Sequence, residues 1–376
     1  MIYLDYNSTT PVDERVLQKM LPYFTEKFGN AASKTHAMGW IADEAVKHAR
    51  KQVAEFIGAV EQEIVFTSGA TEAINLAIKG IYEAYKSKGN HIIAVKTEHK
   101  AVLDTLENLE KKGAQITLLD VDKNGLIDLA ELEKSINDKT ILVCVMLANN
   151  ETGVIQPIKE ISEIIHKKNS ILFCDATQAI GKIPVNVDAL GIDALCISAH
   201  KFYGPKGVGA LYVRRKNPRV SLIAQIDGGG HERGLRSGTL NVPSIIGLGA
   251  ACTVCDFNEL EKIKLLRDDF ENKMLQLENV YINSKDCARL PNTSSITIKG
   301  IKAEQLISKI PDIAIATGSA CTSALARPSH VLSAMGLSAE DAYGSIRISL
   351  GKHTKPTEIK TAADKIMEAV KMLRDF

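Results

Sequence analysis

Short apolar runs alternate with amphipathic segments between residues 64 and 213, and this alternation is the feature that most constrains the fold. Apolar residues spaced at a period near 3.6 predict helices, and the short runs between them predict strands. Because strands and helices take turns along the chain, the pattern predicts βαβ units and a doubly wound, mostly parallel sheet of the α/β class. The predicted strands cover residues 64–67, 91–95, 116–120, 141–147, 171–174, 194–198 and 209–213.

The segments before and between these strands predict the helices of the same unit. Asp13 is a good N-cap for the first helix, and Gly58 ends the second. Right-handed crossovers bring the carboxyl ends of parallel strands to one edge of the sheet, where ligands bind. The predicted helices cover residues 13–28, 38–57, 71–88, 101–112, 128–136, 158–168 and a short turn of helix at 177–181.

The pattern changes after a helix predicted over 245–265, and the rest of the chain predicts a smaller α+β unit of ordinary domain size. We expect an N-terminal arm at 1–12 that packs with this small domain, a large domain at 13–257 and the small domain at 258–376. The predicted elements of the small domain are strands at 294–298, 313–316 and 345–349 and helices at 303–310 and 357–373.

Composition excludes several classes of partner. The 376 residues include 46 basic and 45 acidic ones, for a net charge of +1, and neither sign forms a block. We therefore expect no nucleic-acid partner and no membrane partner, and we expect a cytoplasmic location. Of the seven cysteines, Cys252 and Cys255 form a lone Cys-x-x-Cys without a second ligand pair, which favours packing in the core over metal binding.

One strand end carries a candidate nucleophile. The apolar run at 194–197 ends abruptly in Ser198, His200 and Lys201. A lysine behind a buried strand can lose hydration, so that its pKa falls and its neutral amine can attack a carbonyl. Since most lysines are simply exposed, this interpretation depends on what the other strand ends carry.

Four other strand ends carry polar residues that would meet Lys201. Residues 67–72 form a glycine turn into a helix, whose free N–H groups would bind an anion. His99 could stack on a planar ring or move a proton, and Asn150 offers an amide to a ligand. Asp175 directly follows a buried strand, with Gln178 three residues on; a buried carboxylate needs a cationic partner, and a protonated pyridine nitrogen is one. Together they supply the parts that pyridoxal phosphate requires.

With these residues in place, the chain resembles the NifS/IscS cysteine desulfurases, which are fold-type I, class-V aminotransferase-like pyridoxal-phosphate enzymes. The resemblance runs from about residue 3 to residue 351. Its most specific motifs are Ser198-Ala199-His200-Lys201, Asn149-Asn150-Glu151, Arg236-Ser237-Gly238-Thr239 and Gly318-Ser319-Ala320-Cys321-Thr322-Ser323.

The resemblance implies roles for the residues around the cofactor. Lys201 would hold pyridoxal phosphate as a Schiff base and later move the substrate proton. His99 would stack on the ring, Asp175 would pair with the pyridine nitrogen, and Gln178 would bond the ring hydroxyl. The phosphate would be bound by Ala70, Thr71, Ser198, His200 and, from a second subunit, Thr239, which implies a homodimer.

The resemblance also implies the reaction. Arg347 would bind the carboxylate of L-cysteine, helped by Asn150, and Cys321 would attack the substrate sulfur. The products would be L-alanine and a persulfide on Cys321. A sulfur-acceptor protein, such as an iron–sulfur scaffold, would take the sulfur, with cluster ligation through Cys321 during transfer. The small, polar residues around Cys321 predict a mobile segment with an accessible thiol.

Two alternatives stay open from the sequence. A selenocysteine lyase, or another pyridoxal-phosphate enzyme acting on a small amino acid, would use the same lysine, although an aminotransferase would have no use for Cys321. A non-enzymatic partner-binding protein is the other, but it would not need Lys201, Asp175 and Arg347 together. The chain also departs from the family's usual loop sequence at 30–36, which leaves the shape of that loop open and with it the route of substrate entry.

Overall fold

The computed structural model describes residues 1–317 and 328–375. Within this part the strands are β1 (Ile2–Tyr3), β2 (Ile64–Thr67), β3 (His91–Val95), β4 (Gln115–Leu119), β5 (Thr140–Cys144), β6 (Ile171–Asp175), β7 (Ala194–Ser198), β8 (Gly209–Val213), β9 (Val280–Ile282), β10 (Thr293–Ile298), β11 (Ile313–Ala314), β12 (Ala316–Thr317) and β13 (Ser345–Ser349). The helices are α1 (Glu14–Met20), α2 (Pro22–Thr25), α3 (Ala37–Ile57), α4 (Ala70–Tyr85), α5 (Lys100–Glu110), α6 (Leu129–Ser135), α7 (Ile158–Lys167), α8 (Val242–Val254), α9 (Glu259–Met274), α10 (Ala303–Lys309), α11 (His330–Ala334), α12 (Ala339–Tyr343) and α13 (Pro356–Arg374).

The large sheet has the predicted doubly wound α/β architecture. Its strand order is β2-β8-β7-β6-β5-β3-β4. The pairs from β4 to β7 are parallel, and β8 runs antiparallel to both β7 and β2. The carboxyl ends of β3, β5, β6 and β7 therefore lie at one edge of the sheet, as the alternation of strands and helices predicted.

Three predicted strands of the large sheet differ from the structure in their boundaries, and one short helix is absent. The strand predicted at 116–120 lies one residue earlier, and the strand predicted at 171–174 extends to Asp175. The run at 141–147 ends as a strand at Cys144, because its last residues leave the ladder while Val145 N and Leu147 N still donate to carbonyls of β6. The predicted helix at 177–181 is wrong. These residues form turns whose N–H groups reach Ala176 O, and Gly181 takes φ +75°, which no helix continues through.

Two predicted helices are each split in two. The first breaks at Pro22, which cannot donate a backbone hydrogen bond and begins α2 instead; Asp13 caps α1 as predicted. The segment 245–265 breaks after Val254, where Cys255 is extended and the Asp256 side chain accepts a hydrogen bond from Asn258 N. Gly58 ends α3 with φ +70°, as predicted.

The described residues form four hydrophobic clusters; the fourth is small and joins α11 to α12, and the other three organise the two sheets. Two cover the faces of the large sheet, one under α3, α7 and α8 and the other under α4 and α5. The third lies against the small antiparallel sheet β12-β13-β10-β9 and contains residues of α9, α10 and α13. The strand predicted at 313–316 is two short strands, β11 and β12, and β9 was not predicted.

The N-terminal arm joins the third cluster. β1 pairs in parallel with β11, and Leu4 is fully buried among the small-sheet side chains. We propose the division into arm 1–12, large domain 13–257 and small domain 258–376, which the separate third cluster supports. No helix in residues 1–317 and 328–375 is both long and apolar enough to cross a membrane.

Candidate active site

A cavity of about 970 Å³ opens at the carboxyl edge of the large sheet, against the small sheet. Its size lies at the upper end of the range of small-molecule sites. The site residues predicted from the sequence that line it are Lys201, His99, Ala70, Thr71, Asn150, Asp175, Gln178, Ser198, His200 and Arg347. Nine of these ten residues follow from the strand-end pattern, and Arg347 was implied by the resemblance; the structure brings all ten to one place.

Lys201 lies in a short 3₁₀ turn directly after β7. Its Nζ donates to Asn7 O at 2.8 Å and to Ser8 O at 2.9 Å, so two carbonyls hold the amine. Burial, helped by the nearby Arg347 guanidinium, lowers the pKa of Lys201 to about 8, against the opposing effect of the carboxylate of Asp175. With this pKa a minority of the amine, on the order of a fifth, is neutral near physiological pH and can attack a carbonyl.

The first turn of α4 forms an anion site beside this amine. Gly69 is the N-cap and contributes no side-chain hydrogen bond, so side chains leave the N–H groups of the first turn available. The turn lies close to β8. A Cβ added to Gly209 would be only 2.7 Å from Gly69 Cα, so the two backbones approach each other closely. Ser198 and His200 line the cavity next to it. Burial and neighbouring lysines lower the pKa of His200 to about 4, so this imidazole is neutral.

Asp175 and His99 supply the carboxylate and the ring that the sequence predicted. Asp175 is the last residue of β6 and is 6% exposed; its Oδ1 accepts from Thr177 N at 2.9 Å and from Cys196 Sγ at 3.2 Å. His99 caps α5, and its Nδ1 accepts from Ala101 N at 3.1 Å. This bond leaves Nε2 to carry the proton of a neutral ring.

Arg347, on the small-sheet strand β13, reaches the same cavity. Its Nη2 donates to Asp5 Oδ1 at 2.7 Å and to Ser8 Oγ at 3.0 Å, and its Nη1 donates to Asn150 O at 3.0 Å. The guanidinium is thus held in one orientation by the arm and by the turn after β5. A planar fork so oriented suits the recognition of a carboxylate.

Two predicted site residues are not among the described residues that line the cavity. Cys321 lies outside the described residues, as does the predicted mobile segment around it. Thr239 is exposed and is not among the cavity residues of this single chain. The altered loop at 30–36 is also absent from the cavity lining, and His36 caps α3 by accepting from Gly39 N. The described cysteines form no metal cluster with other side chains, and Cys252 is buried in the first hydrophobic cluster.

The sequence-based prediction missed the contribution of the arm. We expected residues 1–12 to pack with the small domain. In the structure Leu4 belongs to the third cluster, whereas Asp5, Asn7 and Ser8 line the cavity. Their contacts use backbone carbonyls as well as side chains, and carbonyls leave no sequence pattern. The one available signal was the change from apolar to polar residues after Leu4.

These groups fit pyridoxal phosphate. A lysine with a lowered pKa can form a Schiff base, and the uncapped start of α4 can bind a phosphate. The buried carboxylate of Asp175 has no salt bridge to another described residue, which suits a pyridinium partner. Fold and site together define a pyridoxal-phosphate enzyme of fold type I.

Comparisons with known proteins agree over the whole chain. Residues 2–361 match the family model of the class-V aminotransferases. A cysteine desulfurase IscS of Anaeromyxobacter sp. is 50% identical over 379 aligned positions, which cover 100% of this chain and 94% of the relative. The solved structure of a NifS-like protein has a TM-score of 0.92 at 39% identity and covers 99% of both chains. The structure titled SspA in complex with cysteine has a TM-score of 0.84 at 36% identity, covering 94% of this chain and 100% of that one.

The chain therefore belongs to the cysteine desulfurases of the class-V aminotransferase family, whose cofactor is pyridoxal phosphate. The sequence-based predictions of family, fold class and cofactor are confirmed.

Proposed function

We propose that this protein removes sulfur from L-cysteine, with pyridoxal phosphate on Lys201, and leaves L-alanine and a persulfide on Cys321. One observation carries the proposal: a lysine with a lowered pKa and an oriented guanidinium, Arg347, face one cavity together with Asp175. A relative whose solved structure is titled as a complex with cysteine supports the choice of substrate.

The cofactor, when bound, withdraws electrons from the substrate Cα and so makes the sulfur displaceable. Lys201 would hold the cofactor and move the proton at Cα, since its lowered pKa lets the amine exchange a proton near physiological pH. Arg347 would orient the substrate carboxylate, and Asp175 would keep the ring nitrogen protonated. Ser198, His200 and the start of α4 would bind the phosphate.

Chain geometry supports Cys321 as the residue that takes the sulfur. Thr317 lines the cavity and precedes Cys321 by four residues. Four extended residues span at most about 14 Å, so the chain length keeps Cys321 within reach of Thr317 and supports its role in the reaction. Its thiolate would attack the substrate sulfur while the Cβ–S bond breaks and leaves its electron pair on Cβ. Protonation of that carbon would give alanine, and the sulfur would remain on Cys321 as a persulfide.

The experiment supplies L-cysteine and pyridoxal phosphate to the purified protein and measures alanine, sulfide and the mass of the Cys321 peptide. We expect one added sulfur on that peptide. Lys201→Ala should lose at least about 10³-fold in turnover, because no other amine among the described residues donates to both Asn7 O and Ser8 O and could replace it. Cys321→Ser should still bind the cofactor but release almost no sulfur.

An exposed lysine gives a matched control: Lys159→Met, on α7, should keep full turnover. Extra sulfur found on Cys252 or Cys255 would contradict the proposed nucleophile. Faster turnover of selenocysteine than of cysteine would favour the lyase alternative.

The assembly completes the proposal. Thr239 is exposed and does not line the cavity of its own chain. Both observations are expected of a residue that binds the cofactor of a second subunit. We propose a homodimer, which sedimentation at micromolar concentration would show, and transfer of the persulfide to an acceptor protein in the cytoplasm. A fully active monomer would rule out the dimer.

A further inference from the structure

A second lysine lies behind Lys201 and has no role in the proposed reaction. Lys182 is only 6% exposed, in the turn that follows β6. It forms no salt bridge with any residue at 1–317 or 328–375, although an ammonium this deeply buried normally pairs with a carboxylate. A methionine would fill the same space without the desolvation cost, so packing alone does not account for a lysine here.

The contacts of Lys182 suit a neutral amine. Its Nζ donates to Asn7 Oδ1 at 2.9 Å and to Gln178 Oε1 at 2.5 Å. A neutral amine has two N–H groups, and both are used. Burial, together with the charges of Lys201 and Arg347, lowers the pKa of Lys182 well below its usual value, which agrees with this count.

Two short hydrogen-bond paths lead from Lys182 to the amine of Lys201. Because Lys182 binds Gln178 Oε1, the Gln178 Nε2 faces the other way and donates to Asn7 O at 2.9 Å. The same carbonyl accepts from Lys201 Nζ at 2.8 Å. Lys182 also binds the side chain of Asn7, so it holds both the acceptor of Lys201 and the neighbouring amide.

The second N–H of Gln178 remains free to face the cavity that Gln178 lines. A rotated amide would instead present its oxygen there. An N–H donor stabilises negative charge on a ligand atom, whereas an oxygen destabilises it. The orientation of this one amide therefore decides what charge the cavity stabilises beside Lys201.

We propose that Lys182 is a positioning residue: it holds the Gln178 amide with one N–H on Asn7 O and the other toward the cavity, and it holds the Asn7 carbonyl toward Lys201. This inference takes from the proposed function only that Lys201 binds the cofactor. Lys182 itself touches neither the cavity nor the reacting atoms and acts through its two neighbours.

The test is the pH midpoint of the cofactor's absorbance change in Lys182→Met, a variant of similar size without donors. Loss of the ordered Gln178 donor should destabilise the deprotonated Schiff base and raise the midpoint by about one pH unit. Lys201 and Arg347 act electrostatically on Lys182, and Asp175 and Asp5 act on Lys201; all four stay in place in this variant. Lys159→Met is the exposed control and should not shift the midpoint.

A double-mutant cycle separates positioning from charge. If Lys182 acts through Gln178, then Lys182→Met should add no further shift in a Gln178→Met background. An equal shift in both backgrounds would mean that Lys182 acts directly by charge, and no shift in either would mean that it only packs; each result overturns the proposal.

Lys182→Gln keeps an NH₂ group on a shorter side chain and should recover part of the shift, and it replaces the methionine variant if that variant does not fold. Thermal unfolding of the cofactor-free variants checks the fold separately. The readout needs bound cofactor but no desulfuration. A protein that binds the cofactor at Lys201 and releases no sulfur from cysteine would defeat the proposed function and leave this test intact.

Discussion

The carboxyl edge of the large sheet and the N-terminal arm both line the cavity, but they contribute to it in different ways. The sheet edge supplies side chains for chemistry, among them Lys201, Asp175 and His99. The arm supplies acceptors: Asn7 O and Ser8 O hold Lys201, and Asp5 binds Arg347. Variants at the sheet edge should therefore lose chemistry while they keep the fold, and variants in the arm should do the reverse.

After Lys201→Ala, the largest loss of turnover should come from Asp175→Asn at the sheet edge. Asparagine keeps an acceptor for Thr177 N but cannot hold the charge that pairs with a protonated ring nitrogen. We expect turnover to fall roughly 10³-fold, which corresponds to the loss of a buried charge pair, with little change in melting temperature. Asp188→Asn, at an exposed position on the same domain, is the control. If Asp175→Asn lost much stability and no turnover, the sheet edge would hold the fold and the comparison between sheet edge and arm would be reversed.

Asn7→Ala should do the opposite. The Asn7 side chain is 1% exposed, donates to Asn150 O and Thr293 Oγ1, and accepts from Lys182 and Asn292. Losing these bonds leaves several buried groups unpaired, so we expect the free energy of unfolding to fall by about 4 kcal/mol. The backbone carbonyl that holds Lys201 remains.

Chemical denaturation of Asn7→Ala measures this loss, and Ser8→Ala, which removes a single hydroxyl contact to Arg347, is the matched neighbour. A large fall in turnover with little change in the free energy of unfolding would show that the arm takes part in chemistry rather than in holding the site.

The sequence predicted the sheet edge better than it predicted the N-terminal arm. The sequence predicted four strands to the residue, because short apolar runs bounded by turn residues are a distinct strand pattern. These strands are 64–67, 91–95, 194–198 and 209–213. The site residues at those strand ends followed from the rule that the carboxyl ends of parallel strands meet. The helix breaks at Pro22 and after Val254 were not predicted, since an apolar period can continue across a local change of direction.

The supporting contacts could not be predicted from the sequence. Lys182 and Asn7 are joined across 175 positions by a hydrogen bond that depends on the folded arm. The sequence Gly181-Lys182-Ile183-Pro184 does not indicate a buried lysine, because the same residues are equally typical of an exposed turn. Residue type predicts chemistry at strand ends, whereas tertiary packing decides which polar groups hold those residues in place.

Glu151 limits the sheet-edge rule, because it belongs to the predicted Asn149-Asn150-Glu151 motif yet does not line the cavity. It is 5% exposed, and its Oε2 accepts from Ser329 Oγ at 2.5 Å, the residue that caps α11. Burial raises the pKa of Glu151 to about 7, although the Ser329 hydrogen bond and the charge of Arg347 oppose the shift. The motif residue therefore joins two elements instead of binding a ligand.

A raised pKa makes this contact pH-dependent, with a definite sign. The folded protein binds the Glu151 proton more tightly than the unfolded chain does, so its contribution is fully present below about pH 4.5 and is lost as the pH rises through 7. Over that window the loss is on the order of 3 kcal/mol. Glu151→Gln should remove this dependence, and Glu160→Gln, exposed on α7, should leave it unchanged.

Denaturation of the cofactor-free protein between pH 5 and 8 measures the difference between Glu151→Gln and wild type. The two free energies of unfolding should diverge as the pH rises, with the variant relatively more stable above pH 7. Equal slopes would mean that Glu151 stays charged when folded and that Arg347 outweighs burial. Turnover at a fixed pH should change less than in Asp175→Asn, because Glu151 holds the start of α11 and contacts no atom of the cavity.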